Sequence, residues 1–132
     1  MWIGLIENQE IIKAIYGEQT PSLNGVCLHE VKIVNGEDIQ CYLRFDLNSL
    51  PTIMPEKWIQ KKVNTVQMDM VLMSSDIFSF TTSGGDLIGN IQIVSHEDSK
   101  IISFVAEGKD VFVVRSKWIH IRTMNGYLKS VR

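Results

Sequence analysis

The change in periodicity after Pro21 is the feature that most limits what this chain can fold into. Over residues 26–34 and 39–46, apolar and polar side chains alternate as in strands with one buried face. Asn35-Gly36 separates these segments and is a strong hairpin signal. Further strands are predicted at 65–73, 76–82, 86–96, 100–107 and 110–123, the last as one bent strand or two short ones. The intervening turns, including Ser74-Ser75, are too short for parallel crossovers, which predicts an antiparallel sheet.

Two helices are predicted beside this sheet. Asn8 is a candidate N-cap and Gly17 a candidate stop for the first helix. Its apolar stripe consists of Leu5, Ile11, Ile12, Ile15 and Tyr16. Pro55 suits the first turn of a second, short helix within the 50–62 linker. The prediction is a mostly β (α+β) fold in one domain over residues 1–132. It comprises an antiparallel meander of about six to eight strands with the N-terminal helix packed on it.

The first predicted strand contains an irregularity. Val31 and Ile33 fall out of parity with Val26 and Leu28. A β-bulge at His29-Glu30 would restore both pairs to one face of the sheet. Bulges often re-aim side chains, so His29 and Glu30 become candidates for a functional site.

The two cysteines, Cys27 and Cys41, lie on the two strands of the first hairpin. Cys41 is expected to pair with a residue close to Val31, and Cys27 with one near Phe45. This arrangement does not bring them within the roughly 4.4–6.8 Å that a disulfide requires. We therefore expect buried thiols.

Charge is unevenly distributed along the chain, although the net charge is only −2. Residues 1–56 contain eight acids and three bases, whereas the remaining residues contain seven acids and ten bases. This asymmetry suggests an acidic face and a basic edge, provided that the two halves are not interleaved in space.

No motif for catalysis or metal binding is evident. The turn at residues 82–86 lacks the spacing of a nucleophile elbow and is interpreted as a hairpin loop whose glycines supply positive φ. The three histidines, His29, His96 and His120, lie on separate strands. His29 and His120 have no second ligand at i+2 or i+4, and the acids that follow His96 lie at a tight turn, where they are expected to be solvated. The sequence thus predicts no catalytic residues, no cofactor and no metal site. An enzyme with carboxylates assembled across strands is an open alternative.

Membrane and nucleic-acid partners are not expected. No apolar run approaches the roughly 20 residues that span a bilayer, and the N-terminus lacks the basic start of a signal peptide, which predicts a cytoplasmic location. The basic C-terminal segment could contact nucleic acid, but the acidic net charge and the lack of a recognisable module argue against it. A solvated edge strand is the simpler interpretation.

An ordered series of short phrases resembles the immunity protein 50 family of bacterial polymorphic toxin systems. The phrases are Ile15-Tyr16-Gly17-Glu18, Pro21-Ser22-Leu23, Leu28-His29-Glu30-Val31, Leu43-Arg44-Phe45-Asp46-Leu47, Pro55-Glu56-Lys57-Trp58 and Asn64-Thr65-Val66-Gln67. The resemblance covers roughly residues 15–70. It implies a small, cytosolic, mostly β protein that binds and neutralises a protein toxin and has no catalytic residues.

Many such toxins attack nucleic acid with basic clefts, so a nuclease partner would favour an acidic interface. The candidate toxin interface lies on the first hairpin and comprises His29, Glu30, Glu37, Asp38 and Asp46. A scaffold domain of the same fold without a toxin partner is the alternative function. Homodimerisation through an exposed strand edge is also open.

Overall fold

Six strands make up most of the computed structural model, which describes residues 2–82, 84–85 and 87–130. After a 3-10 helix at Trp2–Leu5, the elements are α1 (Glu10–Tyr16), β1 (Val26–Asn35), β2 (Ile39–Asp46), α2 (Glu56–Gln60), β3 (Thr65–Phe80), β4 (Leu87–His96), β5 (Ser99–Ala106) and β6 (Lys109–Tyr127). The mostly β fold and both helices are confirmed. None of the helices in the described segments has the length and apolar character to cross a bilayer.

The strands form a closed barrel in the order β1-β2-β3-β6-β5-β4. Every pair is antiparallel, as predicted. The order is more complex than a meander, because β3 lies beside β6 and β1 beside β4. The β1–β4 pairing over Val26–Leu28 closes the sheet and covers edges that a flat meander would leave open.

Strand β3 is continuous, although the sequence predicted two strands separated by a turn at Ser74-Ser75. Its partner β6 is also continuous, and the two pair from Thr65 opposite Tyr127 to Phe80 opposite Phe112. Ser74 has a φ of 51°, so the serine pair produces a local irregularity within the strand. The long β6 ladder therefore overrides the local turn signal. For β6, the alternative of one long strand is the correct one.

The bulge in β1 is confirmed by the register shift between Leu28 and Glu30. The Asn35-Gly36 signal marks the hairpin, but the turn differs from a two-residue one: Asn35 pairs with Ile39, which leaves residues 36–38 in the loop. A two-residue turn would set the inward-facing Val31 opposite the outward-facing Gln40. The observed register instead sets Val31 opposite the buried Leu43, because burial of one face fixes strand register.

The glycine-rich segment at residues 82–86 is not a hairpin loop. Gly84 and Gly85 have φ values of 86° and 84°, as expected. However, the segment connects β3 to β4, which are not neighbours in the barrel. Ser83 lies outside the described residues, as does Asp86, at which the strand over residues 86–96 was predicted to start.

Helix α1 packs on the barrel through its predicted stripe, in which Ile12 and Tyr16 are buried. The prediction that Asn8 caps this helix is wrong, because Gln9 occupies the N-cap position without a side-chain cap. The Asn8 amide instead pairs with the backbone of Ile121 in β6, donating to its carbonyl at 2.7 Å and accepting from its N–H at 2.9 Å. Asn8 thus ties the segment before α1 to the sheet.

The cysteines form no disulfide with each other. Cys41 lies opposite Ile33, two positions from the predicted partner, because the wider loop shifts the register. Cys41 is buried, whereas Cys27 is only partly buried and lies opposite Asp46.

Candidate functional site

Asp46 is an aspartate buried on the outer side of the barrel. On β2, Leu43 and Phe45 point into the core, so Arg44 and Asp46 face outward. Asp46 is nevertheless only 3% exposed. A buried carboxylate is costly unless other groups compensate its charge, which directs attention to its neighbours.

Four side chains converge on the Asp46 carboxylate, and with it they form what we call the Asp46 cluster. Oδ2 accepts hydrogen bonds from the Tyr127 hydroxyl at 2.6 Å and from Lys129 Nζ at 3.0 Å. It also lies 2.7 Å from His29 Nε2. Oδ1 accepts from Gln67 Nε2 at 3.2 Å. The carboxylate is thus fully surrounded by donors.

These donors determine the protonation state of the cluster. Burial by itself would raise the pKa of Asp46, but the hydrogen bonds from Tyr127, His29, Lys129 and Gln67 outweigh it and lower the pKa below its ordinary value. Conversely, the pKa of Tyr127 is raised, first by burial and then by its hydrogen bond to Asp46 and the negative charge of that carboxylate. The cluster therefore holds an ionised aspartate beside a neutral tyrosine.

The fold explains why these residues meet. Gln67 lies opposite Asp46 across the β2–β3 ladder, and Tyr127 ends β6 next to β3. The bulge in β1 supplies His29, because the extra residue lets both His29 and Glu30 avoid the core. Lys129 lies in the basic C-terminal segment, two residues after the end of β6. The acidic and basic halves of the chain are therefore interleaved at this point.

Cys27 adjoins the Asp46 cluster. One donor atom from each of Cys27, His29 and Asp46 lies within 4.8 Å of the other two. A cavity of about 510 Å³ is lined by Cys27, Asp46 and Lys129. A second, of about 530 Å³, is lined by His29 and other members of the cluster. The two cavities therefore lie on either side of the Asp46 cluster, and only the first is lined by Asp46 itself.

Glu30 lies on the surface beside this cluster. Its carboxylate accepts from Arg44 Nη2 at 3.3 Å, and both side chains are more than 40% exposed. Such an exposed pair contributes little to stability, about 0–1 kcal/mol. Glu30 is therefore a surface acid with a neighbouring base.

Glu37 and Asp38 lie at the opposite end of the hairpin from Asp46. Asp38 immediately precedes β2 and Asp46 is the eighth and last residue of that strand, so the two are about 26 Å apart at the usual rise of a strand. Both acids are exposed in the loop. They line a depression of about 490 Å³ together with Asp76, Lys117 and Trp118. The five residues predicted as an interface therefore form two separate groups.

The loop acids belong to a larger acidic surface. An adjacent depression of about 270 Å³ is lined by Asp76, by Glu97 and Asp98 of the β4–β5 turn, and by Arg115. Arg115 is paired with Asp76, Nη2 to Oδ2 at 2.6 Å. We call the combined region the tip surface; its acids are Glu37, Asp38, Asp76, Glu97 and Asp98, and its bases Arg115 and Lys117. Acids outnumber bases there by five to two.

Trp118 gives the tip surface an exposed aromatic side chain. It lies on β6 opposite Met73 and is 47% exposed. Glu37 and Asp38 were predicted as interface residues but Trp118 was not, because the alternation in β6 does not reveal which outward positions meet the hairpin loop. Gln67, Tyr127 and Lys129 were missed at the other end for the same reason: their meeting depends on strand order.

Residues 8–127 match the model of the family described as immunity protein 50. The chain has no significant match among curated proteins or among solved structures.

Proposed function

Because the chain belongs to the immunity protein 50 family, we propose that it is a bacterial, cytoplasmic immunity protein that neutralises a cognate polymorphic toxin. Neutralisation occurs by binding and involves no catalysis by this chain. The observation that carries the proposal is the family match, which extends over nearly the whole chain, from residue 8 to residue 127.

The tip surface is the proposed toxin interface. Binding energy at protein interfaces is concentrated in a few residues, among which tryptophan is enriched. Trp118 is about half exposed in the unbound chain, so a partner that covers it gains apolar burial at the centre of the contact. The surrounding acids would form the polar rim.

The charge of the tip surface favours a basic partner. A toxin that cleaves nucleic acid needs a basic cleft for the phosphate backbone, and an acidic surface is complementary to such a cleft. Glu37 and Asp38 are exposed in the hairpin loop, where they can act early in the encounter. We therefore propose a nuclease as the toxin class.

His29, Glu30 and Asp46 have a different place in this proposal. Asp46 is buried and surrounded by donors, so it holds the end of the β1–β2 hairpin in place and does not contact the toxin. His29 and Glu30 lie beside it, distant from the loop. They lie outside the proposed interface.

A toxicity-rescue experiment tests the proposed function. The toxin domain encoded next to this gene is expressed in a sensitive host, with and without the protein. We expect growth to be restored and the two proteins to co-purify. Continued growth arrest and no complex, with both proteins folded, would contradict the proposal and favour a scaffold role.

A further inference from the structure

Cys27, His29 and Asp46 carry three donor types that bind the same metal. Zinc takes thiolate, imidazole and carboxylate ligands in tetrahedral sites, with metal–ligand distances of about 2.0–2.3 Å. Such distances place the ligand atoms roughly 3.2–3.8 Å from one another. The three atoms here lie within 4.8 Å of each other, and the shortest separation, His29 Nε2 to Asp46 Oδ2, is 2.7 Å. Rotamer adjustments of about 1 Å would bring them to zinc geometry.

We propose that Cys27, His29 and Asp46 form a zinc site with three protein ligands and a water molecule as the fourth. The class of ion follows from the donors. A sulfur and an imidazole nitrogen favour a borderline-soft ion such as zinc over magnesium or calcium, which prefer oxygen. This proposal does not rest on the toxin partner.

The site is accessible and partly adjustable. The cavity lined by Cys27 and Asp46 provides an entry path and room for the water ligand. The His29 side chain is 32% exposed and projects from a bulge, so its ring can shift without disturbing the core. Catalytic and exchangeable zinc sites share this arrangement of three protein ligands and one open position.

Lys129 is the residue that zinc would replace. Its ammonium group lies 3.0 Å from Asp46 Oδ2 and compensates the carboxylate charge, and its side chain is 44% exposed. A long lysine side chain can withdraw into solvent when another cation takes its place. The Lys129 ammonium group therefore competes with zinc for Asp46. Removal of Lys129 should strengthen zinc binding, whereas removal of a ligand should weaken it.

Metal titration of the full chain, purified without a metal-binding tag, tests the site. Zinc is titrated by calorimetry, and cobalt serves as the spectroscopic probe because a thiolate ligand gives an intense near-ultraviolet charge-transfer band. We expect one zinc per chain and a thiolate–cobalt band. Cys27→Ser should abolish the band, and both Cys27→Ser and His29→Gln should weaken zinc binding by at least about 10-fold.

Lys129→Ala should have the opposite effect and strengthen zinc binding about 3- to 10-fold, because it removes the competing charge. His96→Gln, an exposed histidine at the β4–β5 turn, is the matched control and should leave the affinity unchanged. Thermal unfolding with and without zinc provides a second measurement, since a ligand that binds only the folded state raises Tm.

Several results would overturn the proposal. They are the absence of stoichiometric zinc binding, a thiolate band that persists in Cys27→Ser, or equal affinities for His29→Gln and His96→Gln. Unchanged or weaker binding by Lys129→Ala would refute the exchange of lysine for zinc.

Discussion

The two ends of the β1–β2 hairpin place carboxylates in opposite environments. At one end, Asp46 is 3% exposed and accepts from Tyr127 and Lys129. At the other end, Glu37 and Asp38 are exposed in a loop beside Trp118. A buried carboxylate acts through the groups that it holds together, whereas exposed carboxylates are available to a partner. Acidic residues that are close in sequence therefore differ in role according to their burial.

The largest expected effect is on stability at the buried end. Asp46→Ala removes the acceptor shared by four donors, and we expect a loss of about 2–4 kcal/mol in the free energy of unfolding. Urea unfolding in the presence of a chelator measures it. The control is Asp69→Ala, an outward-facing aspartate on the adjacent strand that accepts from Thr123 at 2.8 Å, with an expected loss below about 1 kcal/mol. Equal losses for both variants would remove the distinction between the two sites.

The next effect is on toxin affinity at the exposed end. Trp118→Ala should weaken toxin binding by about 2–3 kcal/mol, roughly 30- to 150-fold, because an interface tryptophan contributes far more than an average contact. Calorimetric titration with the purified toxin domain measures it. Ile88→Ala is the control, since Ile88 is 61% exposed but lines the cavity at the Asp46 end. A larger loss for Ile88→Ala would move the interface to that end.

Charge reversal in the hairpin loop tests whether its two acids accelerate toxin association. The double variant E37K/D38K should slow toxin association about 10-fold at low salt, with the difference shrinking as salt increases. Stopped-flow mixing measures the rate. The double variant E10K/E18K changes the net charge equally, but at two exposed positions, one at the start of α1 and one just after its end. An unchanged association rate for E37K/D38K would show that the loop acids only solubilise the turn.

The last effect is on stability at high pH and concerns Cys41, which lies between the two ends of the hairpin. Burial raises the pKa of the Cys41 thiol from 9.0 to about 11, whereas the donors around Asp46 lower the pKa of that carboxyl. A raised pKa in the folded state gives stability that is full below pH 9 and is lost as pH rises through about 11. Wild type should therefore lose about 1–2 kcal/mol relative to Cys41→Ala over this window. Unfolding curves in reductant at pH 8 to 11 measure it, and parallel pH profiles would contradict it.

Local sequence signals predicted the elements well but not their neighbours. The bulge at His29-Glu30 and the short helix after Pro55 depend on parity and backbone chemistry within a few residues, and both are confirmed. Barrel closure and the β3–β6 pairing depend on contacts between residues more than 30 positions apart in the chain. Alternation along a strand says which side chains face outward, but not which strand lies beside them.

The candidate site shows the same limit. Cys27 and His29 are two residues apart, so both lie on the outer face of β1. The second ligand therefore precedes His29, whereas the positions at i+2 and i+4 after it hold Val31 and Ile33. Their approach to Asp46 requires the observed register. Trp118 also gains its proposed role only because β6 passes the hairpin loop.

Rescue by variants of the two ends tests most directly whether the tip surface neutralises the toxin. The tip variant combines E37K, D38K and W118A, and the control variant combines H29Q and I88A; both are first compared with wild type for thermal stability. We predict that wild type and the control variant restore growth of toxin-expressing cells and that the equally folded tip variant does not. Full rescue by the tip variant would contradict the account and place the interface elsewhere on the barrel.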